Sequence, residues 1–161
     1  MASSFTRALA SAAPDPGRDL ALYAFLVGDW TFDARVRLPD GSVHTGKGEI
    51  HADWVLGGRA LQDVWILPGI FHGTTLRIPD AAREAWHVIW SDPLHHYYGR
   101  QLGRAVGADI VQLGRDDTGQ ATRWSFSERT PDRFLWRGET ADDAAGPWML
   151  VAEFHCRRVP A

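Results

Sequence analysis

The stretch Tyr23-Ala24-Phe25-Leu26-Val27-Gly28-Asp29-Trp30-Thr31-Phe32 marks the point where the spacing of apolar residues changes. Before it, Leu20, Tyr23 and Val27 share one helical face, so a short helix is predicted over about residues 18–27. Gly28 is the type of residue that commonly ends a helix. From Trp30 onward, apolar and polar residues alternate, which indicates a strand with one buried face.

The rest of the chain repeats this strand pattern, with turn residues such as Pro39-Asp40-Gly41-Ser42 and Pro68-Gly69 between the segments. The predicted strands span residues 30–38, 43–55, 59–67, 70–78, 84–91, 95–102, 109–113, 121–128, 133–139 and 148–157. About ten short strands without an intervening helix predict an all-β protein, an antiparallel up-and-down β-barrel, because closing the sheet removes its exposed edges. An open sandwich is the alternative. Gly46 and Gly48 predict a bend or a bulge in the second strand.

Length and sequence pattern also predict how the chain is divided. Its 161 residues suit one domain. We expect a flexible N-terminal tail over residues 1–17, followed by a single barrel domain over residues 18–161. The alanine-rich stretch that follows Arg7 is too short for an export signal.

Charge and cysteine content exclude several function classes. A net charge of -3 provides no basic face for nucleic acid. No apolar run approaches the roughly 18 residues that a membrane-spanning helix needs. The single cysteine, Cys156, rules out an internal disulfide and favours a reducing, cytoplasmic location. A small-molecule ligand is the expected partner, and a homodimer is left open.

The segment Gly28-Asp29-Trp30, at the head of the first strand, resembles the Gly-x-Trp motif of calycins, the superfamily of lipocalins and fatty-acid-binding proteins. A wider set of segments is similar to a bacterial family of uncharacterised lipocalin-like proteins over about residues 22–158: residues 25–30, 56–59, 90–92 and 157–158. The resemblance implies a barrel that holds a small apolar ligand. It also implies that Arg157 or Arg158 packs over Trp30, and it allows enzymes, because some calycin-like barrels are cyclases, hydratases or isomerases.

Among these relatives, the ten-stranded haem barrels called nitrobindins are a nearer comparison than lipocalins. The resemblance places their haem-ligating histidine on the last strand. Aligning their closing Ala-Glu pair to Ala152-Glu153 puts Met149 at that position. Their glycine-rich opening motif is also absent after Trp30. Both departures argue against haem.

Tryptophan residues provide the predicted pocket. If the tryptophan-rich face of each strand points inward, the indoles converge on the centre of the barrel, where small barrels of this type enclose a cavity. The predicted ligand-binding residues are Trp54, Trp65, Trp90, Trp124 and Trp136, together with Tyr98 and Arg100. Trp86 is also predicted to point inward, and Trp30 to plug one end.

Polar residues on the same predicted inward face include Asp63, Arg100 and Glu128. A buried charge must be paired or must meet a charge on a ligand. One interpretation is that Arg100 pairs with Asp63 or Glu128 near the rim. The other is that Arg100 binds an anionic group of the ligand while Tyr98 and His96 orient it.

Two functions follow. The first is a carrier or sensor for a small hydrophobic or aromatic molecule, with or without an anionic group. The alternative is an acid–base enzyme, an isomerase, cyclase or lyase, which requires at least two candidate catalytic residues to meet at one cavity. Those candidates are Asp63, His72, His96, Tyr98 and Glu128. A third hypothesis is a partner-binding protein with a solid core.

No metal site and no cofactor are predicted. The sequence contains no Cys/His spacing of the zinc kind, no phosphate loop and no dinucleotide fingerprint. Glu49, His51 and Asp53 share a strand face and could chelate a metal, but such a row is more often a solvated outer face.

Overall fold

Ten consecutive strands make up most of the chain in the computed structural model, which describes residues 1–161. The strands are β1 (Gly28–Arg37), β2 (Val43–Val55), β3 (Ala60–Leu67), β4 (Phe71–Asp80), β5 (Ala85–Asp92), β6 (Tyr97–Val106), β7 (Asp109–Asp116), β8 (Ala121–Thr130), β9 (Arg133–Ala141) and β10 (Met149–Arg158). One helix, α1 (Ser4–Leu9), precedes them, and 3-10 turns cover Ala24–Leu26 and Ala81–Arg83.

Each strand pairs antiparallel with the next, and β1 pairs with β10 to close the sheet. The closing register runs from Trp30 opposite Arg158 to Val36 opposite Ala152. The predicted all-β, ten-stranded up-and-down barrel is therefore confirmed, and the alternative of an open sandwich is wrong. Closure leaves no long unpaired strand edge.

The predicted short N-terminal helix is confirmed, but its predicted position over residues 18–27 is wrong, because only Ala24–Leu26 form a 3-10 turn there. Leu20, Tyr23 and Leu26 are spaced three residues apart and are all buried in the barrel core. A spacing of three aligns side chains in a 3-10 geometry better than in an α-helix. The N-terminal helix of the structure is α1, where the side chain of Ser3 accepts a hydrogen bond from the Thr6 N–H.

Residues 1–17, predicted as a flexible tail, make backbone hydrogen bonds with the β2–β3 hairpin. Ser11 N–H donates to the carbonyl of Trp54 (2.9 Å), and Asp15 N–H donates to that of Gly58 (2.9 Å). The mobility of this segment stays a prediction. No helix of the structure has the length and apolar character required to cross a bilayer.

Of the bend or bulge predicted at Gly46 and Gly48, the bulge is wrong, because β1 and β2 keep an uninterrupted register along that stretch, and the bend stays a prediction. A Cβ on Gly48 would collide with the ring of Phe32, so this glycine makes room for an inward aromatic side chain. The irregularities of register lie elsewhere, between Leu150 and Ala152 in β10 and between Ser127 and Thr130 in β8.

The two ends of the barrel differ. At the closed end, the residues that precede β1 enter the barrel, and Tyr23 packs edge-on against Trp86 with ring centroids 5.0 Å apart. The guanidinium of Arg158 lies 4.1 Å above the Trp30 ring, so Arg158 rather than Arg157 makes the expected cation–π contact. The opposite, open end carries the β1–β2, β3–β4, β5–β6, β7–β8 and β9–β10 connections.

Candidate functional site

A cavity of about 700 Å³ occupies the half of the barrel nearer the open end. We call it the end cavity. Its lining includes turn residues of the open end, such as Pro39, Gly69 and His95, so the cavity reaches that end. The residues that line its wall include Trp65, Phe71, Thr75, Arg77, Trp90, Asp92, Tyr97, Trp124, Trp136 and Phe154.

Four of the five predicted tryptophans, Trp65, Trp90, Trp124 and Trp136, line the end cavity. Trp90 stands nearly perpendicular to its neighbours: its ring makes an angle of 82° with Phe71 and 84° with Trp124, at centroid distances of 6.0 and 6.2 Å. Rings at right angles form a corner, and the wall is therefore aromatic on several sides. The inward direction predicted for these indoles is what the structure shows.

Two glycines allow these rings to lie against the sheet. A Cβ on Gly73 would lie 2.5 Å from the Trp90 ring, and a Cβ on Gly138 would lie 2.8 Å from the Trp136 ring. Both distances are below normal van der Waals contact. Gly73 lies on β4, next to the strand of Trp90, and Gly138 lies on β9, the strand of Trp136 itself, so the absence of a side chain at both positions helps to shape the cavity.

Trp54 is buried but does not line the end cavity. It lies next to the N-terminal segment, where its carbonyl accepts the hydrogen bond from Ser11. Trp86 also points inward, as predicted, but it packs against Tyr23 toward the closed end. The tryptophan pattern therefore describes two regions of the interior, and the end cavity lies in the one that contains Trp65, Trp90, Trp124 and Trp136.

A buried polar network separates these two regions. Arg77 Nε donates to Asp63 Oδ2 (2.8 Å), and its Nη1 donates to Gln112 Oε1, which also accepts from the Tyr23 hydroxyl (2.8 Å). Arg77 and Asp63 are 1% and 0% exposed. Burial raises the pKa of Tyr23 to about 12, against the lowering effect of the Arg77 charge. The charge of Asp63 is thus matched by Arg77, not by Arg100 as one prediction had it.

The orientation predicted for β4 and β6 is wrong. In β4, Thr75 and Arg77 point inward, whereas His72 is exposed. In β6, Gln101 is buried and lies in register with the inward Val88. Every second residue of a strand shares a face, so Tyr98 and Arg100, which we predicted inward, point out instead, and both are exposed. His96 lies in the turn before β6, with a φ of 53°, and is also exposed.

The physical reason for both errors is the same. The interior carries buried polar residues that are satisfied by partners on other strands, so polarity does not mark the outer face there. Arg77 is inside because Asp63 faces it, and Gly103 is inside because its position holds the Tyr23 hydroxyl, which a Cβ would strike. The outward Arg100 approaches His87 Nδ1 at 3.1 Å instead of lying in the cavity.

Glu128 is exposed and lies at the irregular part of β8, with a φ of 52°. Of the predicted catalytic residues, only Asp63 points into the barrel, and it is ion-paired. His96 Nδ1 and the Tyr98 hydroxyl approach to 3.3 Å, but on the outer surface. The convergence at one cavity that the acid–base alternative requires is absent.

Four residues that were not predicted to line the cavity do so: Asp92, Tyr97, Thr75 and Arg77. Asp92 had a readable signal, because it continues the alternation of Trp86, Val88 and Trp90 on β5, although we assigned it to a turn. Tyr97 lies directly opposite Asp92 in the β5–β6 register. No comparable local signal marked Thr75 and Arg77, and the burial of Arg77 depends on its pairing with Asp63.

The residues present do not fit haem, the cofactor that the nitrobindin resemblance implies. Met149, at the position of the expected histidine, is 47% exposed and does not line the end cavity. The β10 residues that do line it are Val151, Ala152 and Phe154. His95 is the histidine of the cavity lining, and its Nε2 lies 3.2 Å from the Gly69 carbonyl, at the rim.

Comparison with known proteins bears on the fold. No family model matches the sequence, and a search of curated proteins finds no match. Among solved structures, the chain is similar to the crystal structure of Rv2717c from M. tuberculosis, with a TM-score of 0.67 and 12% sequence identity. The similarity covers 91% of this chain and 99% of that one. At this identity the likeness shows a shared barrel fold and carries no information on the ligand.

Proposed function

We propose that this protein binds a small hydrophobic or aromatic molecule in the end cavity and acts as a carrier or sensor. The observation that carries the proposal is a hollow of about 700 Å³ with an aromatic wall inside a closed barrel. Binding sites for small molecules typically enclose about 300–1,000 Å³ and are lined mainly by apolar and aromatic side chains with a few polar groups.

The wall supplies enough apolar surface for measurable affinity. Burying about 200 Å² of apolar ligand surface contributes roughly 5 kcal/mol, from which the loss of translational and rotational freedom must be subtracted. Edge-to-face contacts with the indoles add to this for an aromatic ligand. For a ligand of this size the balance gives an affinity of about millimolar, and a larger aromatic ligand that buries more apolar surface should bind more tightly.

We do not propose an anionic group on the ligand, because Arg100, the residue expected to bind the anion, points away from the cavity. We do not propose the acid–base enzyme either, because the predicted catalytic residues do not meet at the cavity: Asp63 alone points into the barrel, and it pairs with Arg77. Membership of the calycin superfamily remains part of the proposal. The Arg158–Trp30 contact beside the Gly28-Asp29-Trp30 segment supports it.

The test is a titration of the purified protein with N-phenyl-1-naphthylamine, a neutral aromatic probe, followed by probe fluorescence. Trp124→Ala removes a wall of the end cavity and should weaken binding about tenfold, as for a central aromatic contact. Trp148→Ala is the matched control, because Trp148 does not line the cavity, and it should change affinity by no more than about twofold.

A second variant, Ala152→Trp, fills the cavity instead of enlarging it, and it should abolish probe binding. Native mass spectrometry of the protein as purified would show whether a small molecule is retained. The proposal fails if the probe does not bind, or if Trp124→Ala and Trp148→Ala have equal effects.

A further inference from the structure

We propose that the ligand of the end cavity carries a positive charge, as an amine or quaternary ammonium group, and that the Asp92 carboxylate and the aromatic corner beside it bind that group. The inference rests on the proposed function and extends it from the shape of the ligand to its charge. It reverses the anionic ligand that the sequence had suggested.

Asp92 is a buried acidic group without a cation. It ends β5 on the inward face, is 2% exposed and lines the end cavity. Its Oδ1 accepts from the Leu94 N–H (3.0 Å) and, at longer range, from the His72 N–H (3.4 Å). No lysine, arginine or histidine nitrogen lies within salt-bridge distance, and no protein group donates to Oδ2. Buried carboxylates are normally paired, so a ligand cation would supply what the fold omits.

The other charges around the cavity do not neutralise Asp92. Arg77 is already paired with Asp63 at 2.8 Å. Arg37 lines the mouth but is exposed, and its Nη1 lies 3.7 Å from Met149 Sδ. The charged groups of the deeper wall therefore sum to a negative charge once the internal ion pair cancels.

A second acidic residue, Asp116, adds to this negative charge. Asp116 is 9% exposed, makes no salt bridge, and accepts hydrogen bonds from the N–H groups of Thr118 and Gln120 (both 3.0 Å). Burial raises the pKa of Tyr97, and the negative charges of Asp116 and Asp117 raise it further. The field at the β5–β7 wall thus opposes the formation of an anion.

The aromatic corner supplies the second half of the site. Trp90 is on the same strand face as Asp92, two residues away, and it meets Phe71 and Trp124 at nearly right angles. Perpendicular rings present π faces or edges to one volume, and a cation against indole faces gains cation–π energy that grows when water is excluded. Aromatic rings beside a carboxylate form the arrangement that recognises organic ammonium groups.

The experiment compares three probes of nearly equal size by calorimetric titration: benzyltrimethylammonium, its neutral isostere neopentylbenzene, and phenylacetate. We expect the cation to bind at least about tenfold more tightly than the neutral isostere, a difference typical of a desolvated cation–π and charge contact. Phenylacetate should bind most weakly of the three, because its charge would meet Asp92 without compensation.

Asp92→Asn tests the residue. The amide keeps an oxygen that can accept from the Leu94 N–H, and it removes the charge. The preference for the cation should fall about tenfold while neopentylbenzene binding is kept. Asp142→Asn is the matched control, since it makes the same change of charge on an exposed side chain of the β9–β10 connection, at the same end of the barrel, where solvent screens it.

The outcomes separate the two proposals. If neopentylbenzene binds as well as the cation to the wild-type protein, or if Asp92→Asn leaves the preference unchanged, the charge assignment is wrong and the cavity remains a hydrophobic site. If no probe binds, both proposals fail. The comparison of the three probes needs only the wild-type protein, so it decides the matter even if Asp92→Asn does not fold.

Discussion

Replacing Arg77 by methionine should destabilise the protein far more than breaking a comparable ion pair on the surface. Arg77 Nε lies 2.8 Å from Asp63 Oδ2, and neither side chain exposes more than 1% of its surface. Asp63 Oδ1 already has no hydrogen-bond partner, so the substitution would leave the whole carboxylate buried and unpaired. Losing one partner of a buried pair typically costs about 3–5 kcal/mol.

The matched control is Arg137→Met. Arg137 Nε lies 2.8 Å from Glu153 Oε2, the same atom types at the same distance, but the two side chains are 46% and 23% exposed. Because solvent screens this pair, its loss should cost no more than about 1 kcal/mol. The comparison isolates burial from the geometry of the ion pair.

Urea unfolding followed by tryptophan fluorescence measures both free energies, with the slope of the transition checked for two-state behaviour. The double variant Asp63→Leu/Arg77→Met should recover at least about half of the loss, because apolar side chains can replace a buried ion pair at little cost. Equal losses for Arg77→Met and Arg137→Met, or additive effects of the two changes in the double variant, would refute this account.

Three further predictions concern packing and titration. Gly73→Ala should lower the free energy of unfolding by about 1–3 kcal/mol, because its Cβ would lie 2.5 Å from a cavity tryptophan. Gly99→Ala is the control and should be tolerated, because its Cβ would have its nearest contact at 3.7 Å. Thermal unfolding compares the two variants. Arg158→Met should lower the free energy of unfolding, measured in urea, by roughly 2 kcal/mol or more, because Arg158 donates to three backbone carbonyls and stacks on the Trp30 indole. Arg157→Met is the control and should have little effect, because Arg157 is exposed. Burial raises the pKa of the Cys156 thiol. Iodoacetamide should therefore modify Cys156 only as the protein unfolds. The free energy of unfolding should fall as pH rises above about 8.5, because the thiol then ionises in the unfolded chain but not in the folded protein. A free energy of unfolding that does not change with pH in this range would contradict the prediction.

The strands themselves were predictable, because each depends on local chemistry. The predicted second strand, residues 43–55, has the bounds observed for β2, and most other boundaries differ by a few residues. Alternation supplies the strand, and Gly, Pro and Asp supply the turn that ends it. The inward direction of Trp65, Trp90, Trp124 and Trp136 followed from the same alternation, because a large apolar side chain gains free energy when it leaves water.

The polar side of the site was not predictable in this way. A charged residue on a strand is ordinarily outside, and only a partner on another strand reverses that preference. Asp63 is fourteen positions from Arg77 in the chain, and Gln112 is thirty-five from it, so their hydrogen bonds exist only once the barrel has closed. Those bonds determine which face of β4 points inward.

Sequence pattern thus decides the number of strands, their antiparallel order and the aromatic wall, because periodicity and turn chemistry act between neighbours in the chain. Tertiary structure decides which polar groups share the interior, where a void remains among the rings, and that Asp92 is left there without a cation. These depend on distances across the barrel, since desolvation and charge pairing are properties of an assembled interior.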